Sequence, residues 1–189
     1  MRKIFLIGIA GGSASGKSTF SENLRKSLTD MKVVILHMDS YFKAEKERPV
    51  AIAPITRKEY MDDNHPLTVD LSKLKQDMEC IIKEGTCQVL IVEGLLTLWD
   101  EEIYEQLDLK LFVDCQPDER IVRRLKRNMK WGRSFDEIAD VYLDMVRYRH
   151  DEYVEPTKWR ADLILNGSNP SPKVLEMIVA YIQSFGKEG

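Results

Sequence analysis

The chain has 189 residues, with 28 lysines and arginines against 31 aspartates and glutamates, a formal net charge of −3. That length suits one compact domain over residues 1–189 and is too short for two ordinary ones. Apolar residues at 43% and charged residues at 31% exclude disorder and fibrous repeats, and the acidic balance argues against a nucleic-acid binder that relies on a basic surface. No apolar run reaches the ~20 residues that a membrane span needs.

In chain order, Ile4–Ala10 is a short apolar run that leads straight into a glycine loop. It reads as a buried strand rather than the core of a signal peptide. Similar runs follow at Val33–Met38, Val89–Val92, Leu109–Val113 and Ala161–Leu165. Helical periodicity marks Lys17–Leu28, Leu71–Glu84, Pro117–Met129, Phe135–Tyr153 and Pro172–Phe185. Strand alternating with helix predicts an α/β fold, a parallel sheet covered on both faces. Ser134 and Glu137 fit a capping box, and Pro117 and Pro172 suit first-turn positions that need no backbone donor. The longest irregular segment is Lys43–Pro66, with Pro49, Pro54 and Pro66, and it reads as a binding loop. Cys80, Cys87 and Cys115 have no metal-ligand spacing and read as reduced core thiols in a cytoplasmic protein. Trp99, Trp131 and Trp159 read as packing residues, while the isolated His37 and His150 receive no role.

Gly11-Gly12-Ser13-Ala14-Ser15-Gly16-Lys17-Ser18 matches G-x-x-x-x-G-K-[ST] between a strand and a helix, with Thr19 next in line. Such a loop turns its N–H groups toward phosphates, and the helix N-terminus adds a favourable field. Lys17 reaches the outer phosphates and Ser18 can hold Mg2+. The loop predicts nucleotide binding without separating kinase from ATPase or GTPase.

Two strand ends carry acids. Val89–Val92 runs into Glu93-Gly94, and parallel topology puts Glu93 on the same edge as the phosphate loop, placed to orient Mg2+ or its waters. Capping of the next helix is the alternative. Val33–Met38 runs into Asp39, followed by Tyr41 and Phe42. Phosphoryl transfer to an alcohol needs a carboxylate that takes or orients the hydroxyl proton, and Asp39 is the candidate. A turn-forming aspartate with both aromatics in the core is the plainer alternative. On the Pro117–Met129 helix, Arg120, Arg123, Arg124 and Arg127 share one face. A strip of like charges calls for an anion, and a triphosphate is a suitable one. Lys130–Arg133 then makes a basic break, so residues 117–134 read as a lid.

Taken together, these residues resemble the uridine kinase-like branch of the P-loop nucleoside and metabolite kinases. The resemblance runs from Ile4 to Gly167 and rests on the phosphate loop, Asp39-Ser40-Tyr41-Phe42, His65-Pro66, Glu93-Gly94, Phe112-Val113-Asp114, Arg123–Arg127, Gly132-Arg133 and Tyr153–Lys158 with Ala161-Asp162. It implies a P-loop NTPase-type three-layer sandwich with a five-stranded parallel sheet and a helical lid. It also implies ATP- and Mg2+-dependent phosphorylation of a sugar hydroxyl, usually the 5′-hydroxyl of a nucleoside. The implied partner is a small-molecule acceptor, with no nucleic acid and no membrane; a homo-oligomer is compatible. Carried over by position, Asp39 is the catalytic carboxylate, Glu93 the magnesium-associated one, and Arg124, Arg127 and Arg133 the lid arginines. Acceptor contacts fall to Asp39, Tyr41, Phe42, Tyr60, Asp63, Asn64, His65, Arg124 and Arg133. His65 is equally readable as a turn residue.

Two departures bear on the acceptor. Asn64-His65-Pro66 stands where uridine kinases usually have Asp-His-Pro, so the ribose carboxylate is either replaced or supplied by Asp63. Glu84–Gln88 leads almost directly into the next strand, where the family usually carries a pyrimidine-reading hairpin, so a compact form without it is expected. The nicotinamide riboside kinases are similarly short. A non-pyrimidine riboside is therefore the alternative acceptor, and a P-loop ATPase switch the alternative activity. No Asn-Lys-x-Asp guanine-reading sequence occurs in the chain.

Overall fold

The computed structural model describes residues 4–185. The five apolar runs form β1 (Phe5–Gly11), β2 (Val33–His37), β5 (Val89–Glu93), β6 (Leu109–Asp114) and β7 (Leu163–Asn166), while a small hairpin supplies β3 (Val50–Ile52) and β4 (Glu59–Met61). The main sheet has the order β2-β5-β1-β6-β7 with every neighbour parallel. β1 and β5 are buried along their whole length, which is why their sequences are continuously apolar rather than alternating.

Alternate residues serve opposite layers. Phe5, Ile7 and Ile9 with Val89 and Ile91 pack against Leu24 of α1 (Lys17–Ser27) and Ile178 and Ile182 of the C-terminal helix (Pro172–Phe185). Leu6, Ala10, Leu90 and Val92 pack against Leu74 and Met78 of α2 (Leu71–Glu84) and Ile103 of α3 (Glu101–Gln106). Each fully buried aliphatic side chain contributes about 2 kcal/mol from water exclusion. The result is the expected three-layer α/β sandwich.

α4 (Pro117–Lys130) follows β6, and a capping box at Ser134 starts α5 (Phe135–Val141). The same rod continues through a π turn at Tyr142–Val146, α6 (Arg147–Arg149), a second π turn at His150–Val154 and a 3-10 segment to Arg160. Pro172–Phe185 is α7. α2 ends at Gly85, which caps it at φ 62, and β5 begins four residues on, so no hairpin intervenes.

Several expectations are corrected. Lys43–Pro66 is not wholly irregular: β3 and β4 pair antiparallel, with Ala51 opposite Tyr60, around a turn that sets Arg57 at φ 60. α3 is an addition to the expected helices, since six residues are too few to show a period; Asp100 caps it by accepting from the Ile103 N–H. Cys80 is exposed on α2, so only Cys87 and Cys115 are core thiols, and all three are free. Trp131 and Trp159 lie outside the core: Trp159 is largely exposed, and Trp131, also exposed, borders the cleft at the phosphate loop. Among the described residues no helix is long and apolar enough to cross a membrane.

Candidate active site

The phosphate loop leaves β1 and enters α1 through Gly16 at φ 104, a left-handed conformation that glycine adopts without strain. Gly12 has no room for a side chain because the Arg120 guanidinium lies against it. Arg120, buried at the start of α4, also donates from Nε to the Cys115 carbonyl at 3.1 Å. It braces the loop from behind. Arg124 and Arg127 reach the loop from the side, both donating to Ser13 Oγ, at 3.0 and 3.3 Å. Burial first, then the neighbouring Arg127 and Arg133, lowers the Arg124 pKa, and Asp63 only partly offsets them. Arg123 turns elsewhere, to the Gly167 carbonyl and to Glu119.

Lys17 is only 7% exposed and forms no ion pair among the described residues. Ser18 Oγ donates to Glu93 Oε1 at 3.0 Å, and Nδ1 of His37 lies 2.7 Å from the same oxygen. Glu93 Oε2 and the Ser15 hydroxyl are buried without a hydrogen-bond partner among the described residues. Buried polar atoms are ordinarily paired, so an unpaired carboxylate oxygen and hydroxyl inside a glycine cradle fit a metal-bound phosphate chain. Ser18 and Glu93 are the residues that would hold Mg2+.

One cleft collects Ser13, Lys17, Ser18, Asp39, Phe42, Asp63, Asn64, Arg124, Arg127 and Arg133. Leu95, Asn128 and Trp131 complete its walls, and Trp131 stacks on the Arg127 guanidinium at 5.2 Å. Arg48 pairs with Asp63 at 3.1 Å and lies over the Phe42 ring. Gly16 and Thr19 border a second, more apolar cleft with Phe20, Val113, Leu165 and Gly167. The residues after β7 are not among the sequence candidates, although a glycine just past the last strand is a weak signal for a loop at this edge.

Three of the acceptor candidates are not brought to the cleft. Tyr41 is turned by a 3-10 turn into the core, where its hydroxyl donates to Asp77 at 2.8 Å; burial and that carboxylate push its pKa up to about 12. Tyr60 donates to Asp144 on the long rod, which holds its pKa at about 12. His65 caps a 3-10 turn by accepting from the Leu67 N–H and meets Tyr153 edge-on. Conversely, His37 and the buried Asp62 take up positions beside the site that no local sequence signal marks.

A phosphate cradle with its lysine, a facing carboxylate and an arginine strip on a parallel-sheet edge define a P-loop phosphotransferase with an alcohol acceptor. The model of the Phosphoribulokinase / Uridine kinase family matches residues 65–171. A uridine kinase from Geobacillus kaustophilus is 31% identical over 206 aligned positions, covering 97% of this chain and 95% of its own. That alignment is longer than the chain, so the relative carries residues without counterpart here. The chain belongs to the phosphoribulokinase/uridine kinase family. Two solved structures share its fold: a candidate fructose transport system kinase from Silicibacter sp. TM1040 (TM-score 0.68, 16% identity, 87% of this chain and 90% of that one) and a possible uridine kinase from Bacillus stearothermophilus (TM-score 0.57, 17% identity, 87% and 89%).

Proposed function

We propose that this protein transfers the γ-phosphate of ATP to a hydroxyl of a riboside held in the cleft. The observation that carries the reading is the convergence of Lys17, Asp39 and three lid arginines on one cleft. Lys17 binds the outer phosphates. Asp39 orients the acceptor hydroxyl and takes its proton as the new P–O bond forms. Arg124, Arg127 and Arg133 offset the negative charge on the transferred group, and the lid keeps water away from it. Ser18 and Glu93 would hold Mg2+, which would supply charge neutralisation to the phosphates when bound. The second cleft is suited to the adenine ring, with Phe20 and Arg123 beside it.

The acceptor's ring has Phe42 and Trp131 to stack on, while Asp63 and Asn64 offer polar contacts to its hydroxyls. Direct passage from α2 to β5 leaves few groups to read a pyrimidine edge, which favours broad riboside use or a non-pyrimidine acceptor. ADP release measured with uridine, cytidine, nicotinamide riboside and simple sugars tests the reading. Turnover should depend on acceptor, with kcat/KM differing less than about tenfold (~1.4 kcal/mol) among ribosides. Hydrolysis indifferent to every acceptor would identify an ATPase instead, and sharp selectivity for uridine and cytidine would mean another segment reads the base.

A further inference from the structure

β2 and β5 pair in parallel with His37 level with Glu93. Residues level across parallel strands project from the same face. On that face Val33, Ile35, Val89 and Ile91 are apolar and belong to the core against α1. Two residues further along, the same alternation delivers a histidine and a glutamate beside Ser18, at the first turn of that helix. A core position has been exchanged for a polar pair just where the strands reach the phosphate edge.

The pair has a defined geometry. Glu93 is 4% exposed and has no lysine or arginine partner among the described residues. Its Oε1 lies 2.7 Å from His37 Nδ1 and 3.0 Å from Ser18 Oγ, while Oε2 is buried and unpartnered. An ionised carboxylate can only accept, so His37 donates from Nδ1. Both donors converge on one oxygen and leave the other for a ligand. Ser18 must share its own oxygen with the cation, and a single hydrogen bond leaves a carboxylate free to turn about its last torsion. The His37 N–H removes that freedom, as outer-shell donors do around metal sites generally.

We infer that His37 is a positioning residue that fixes the Glu93 carboxylate so that Mg2+ and nucleotide bind together. The inference rests on the nucleotide-site reading above. It assigns no contact between His37 and the nucleotide, so the imidazole acts on the metal dependence of binding and not on nucleotide affinity as such.

The test is calorimetric binding of ATP to the full chain across a MgCl2 series and in EDTA, for wild type, H37A and H37N. H37A should raise the Mg2+ concentration needed for half of the affinity gain about tenfold or more. ATP binding in EDTA should be unchanged. H37N, whose amide places an N–H near the Nδ1 position, should recover most of the loss. The side chain of His37 is 39% exposed and its loss should leave the fold intact by Tm; if H37A does not fold, H37F, of similar size and without a donor, replaces it. A Mg2+ dependence within twofold of wild type overturns the inference, as does an equal loss in EDTA or an H37N no better than H37A. Wild-type protein that binds no ATP would instead overturn the nucleotide-site reading, a failure visible before any variant is made.

Discussion

The wholly buried carboxylate of Asp62 accepts a hydrogen bond from Arg149 Nε at 2.6 Å, joining the end of the β3–β4 hairpin to the long helical rod. The pair sits one residue before the cleft residues Asp63 and Asn64, and the Thr68 hydroxyl donates to the Asp62 carbonyl from the same turn. Arg149 is 21% exposed and also pairs with Glu152, so loss of the Asp62 charge costs less than the ~3 kcal/mol of a buried partner left wholly unpaired. D62N should therefore lower stability by about 1.5 kcal/mol in urea unfolding, the scale of one hydrogen bond to a charged group. It should also raise KM for the acceptor more than KM for ATP. Unchanged stability would show that the Glu152 pair alone satisfies Arg149.

Lys17 is 7% exposed, lines the cleft and has no ion-pair partner among the described residues, and the proposed function assigns its charge to the phosphates. K17A should fold normally by circular dichroism and Tm while losing nearly all phosphotransfer, since preorganised charge at the phosphates supplies much of the rate enhancement in such sites. Near-normal turnover would remove the phosphate loop from the chemistry.

Asp39 to asparagine is close to isosteric, so D39N should keep ATP binding and lose kcat by about 10²–10⁴, the range for a positioned acid–base group. Calorimetry for binding and single-turnover phosphotransfer separate the two effects. A kcat within threefold of wild type would leave Asp39 as a turn residue.

His150 is buried beside the phosphate loop, and burial first, then Arg120, lowers its pKa from 6.5 to about 4. The unfolded chain takes up a proton below pH 6.5 that the native state refuses until about pH 4. The stabilisation is thus complete above pH 6.5 and is lost as pH falls through that window, to a limit of about 3 kcal/mol. H150Q should flatten this part of the stability–pH curve. An unchanged slope in urea titrations at pH 4.5–6.5 would show that the imidazole titrates as it does in water.

How far the sequence can be read depends on how far apart the interacting residues lie. Leu71–Glu84 is legible to the residue because its cap, Asp70, and its terminator, Gly85, are written beside it. β1 and the Val89–Val92 run of β5 are legible because strands buried on both faces read as continuous apolar runs. The hairpin is not, since strands of three residues cannot show alternation. Tyr41 looks like an acceptor contact because nothing local predicts that Asp77, 36 positions on, receives its hydroxyl. His37 looks idle for the same reason: its partner is 56 positions away and becomes adjacent only through strand register. That Arg124 and Arg127 come to one cleft is legible because they share one helix face.

The π turns in the long rod set which way its side chains point. In an α-helix, residues five apart diverge by about 140° around the axis; a π turn closes its hydrogen bonds over five residues and brings such positions back toward one side. Asp144 and Arg149 stand five apart across the first of these turns, and they take hold of the hairpin at separate points, Asp144 through Thr56 and Tyr60, Arg149 through Asp62. The winding of the helix thus sets where the hairpin is held beside the cleft. Deleting a single residue from Tyr142–Val146 would restore ordinary α winding and swing one of the two grips away, uncoupling the hairpin from the rod without touching any residue of the cleft.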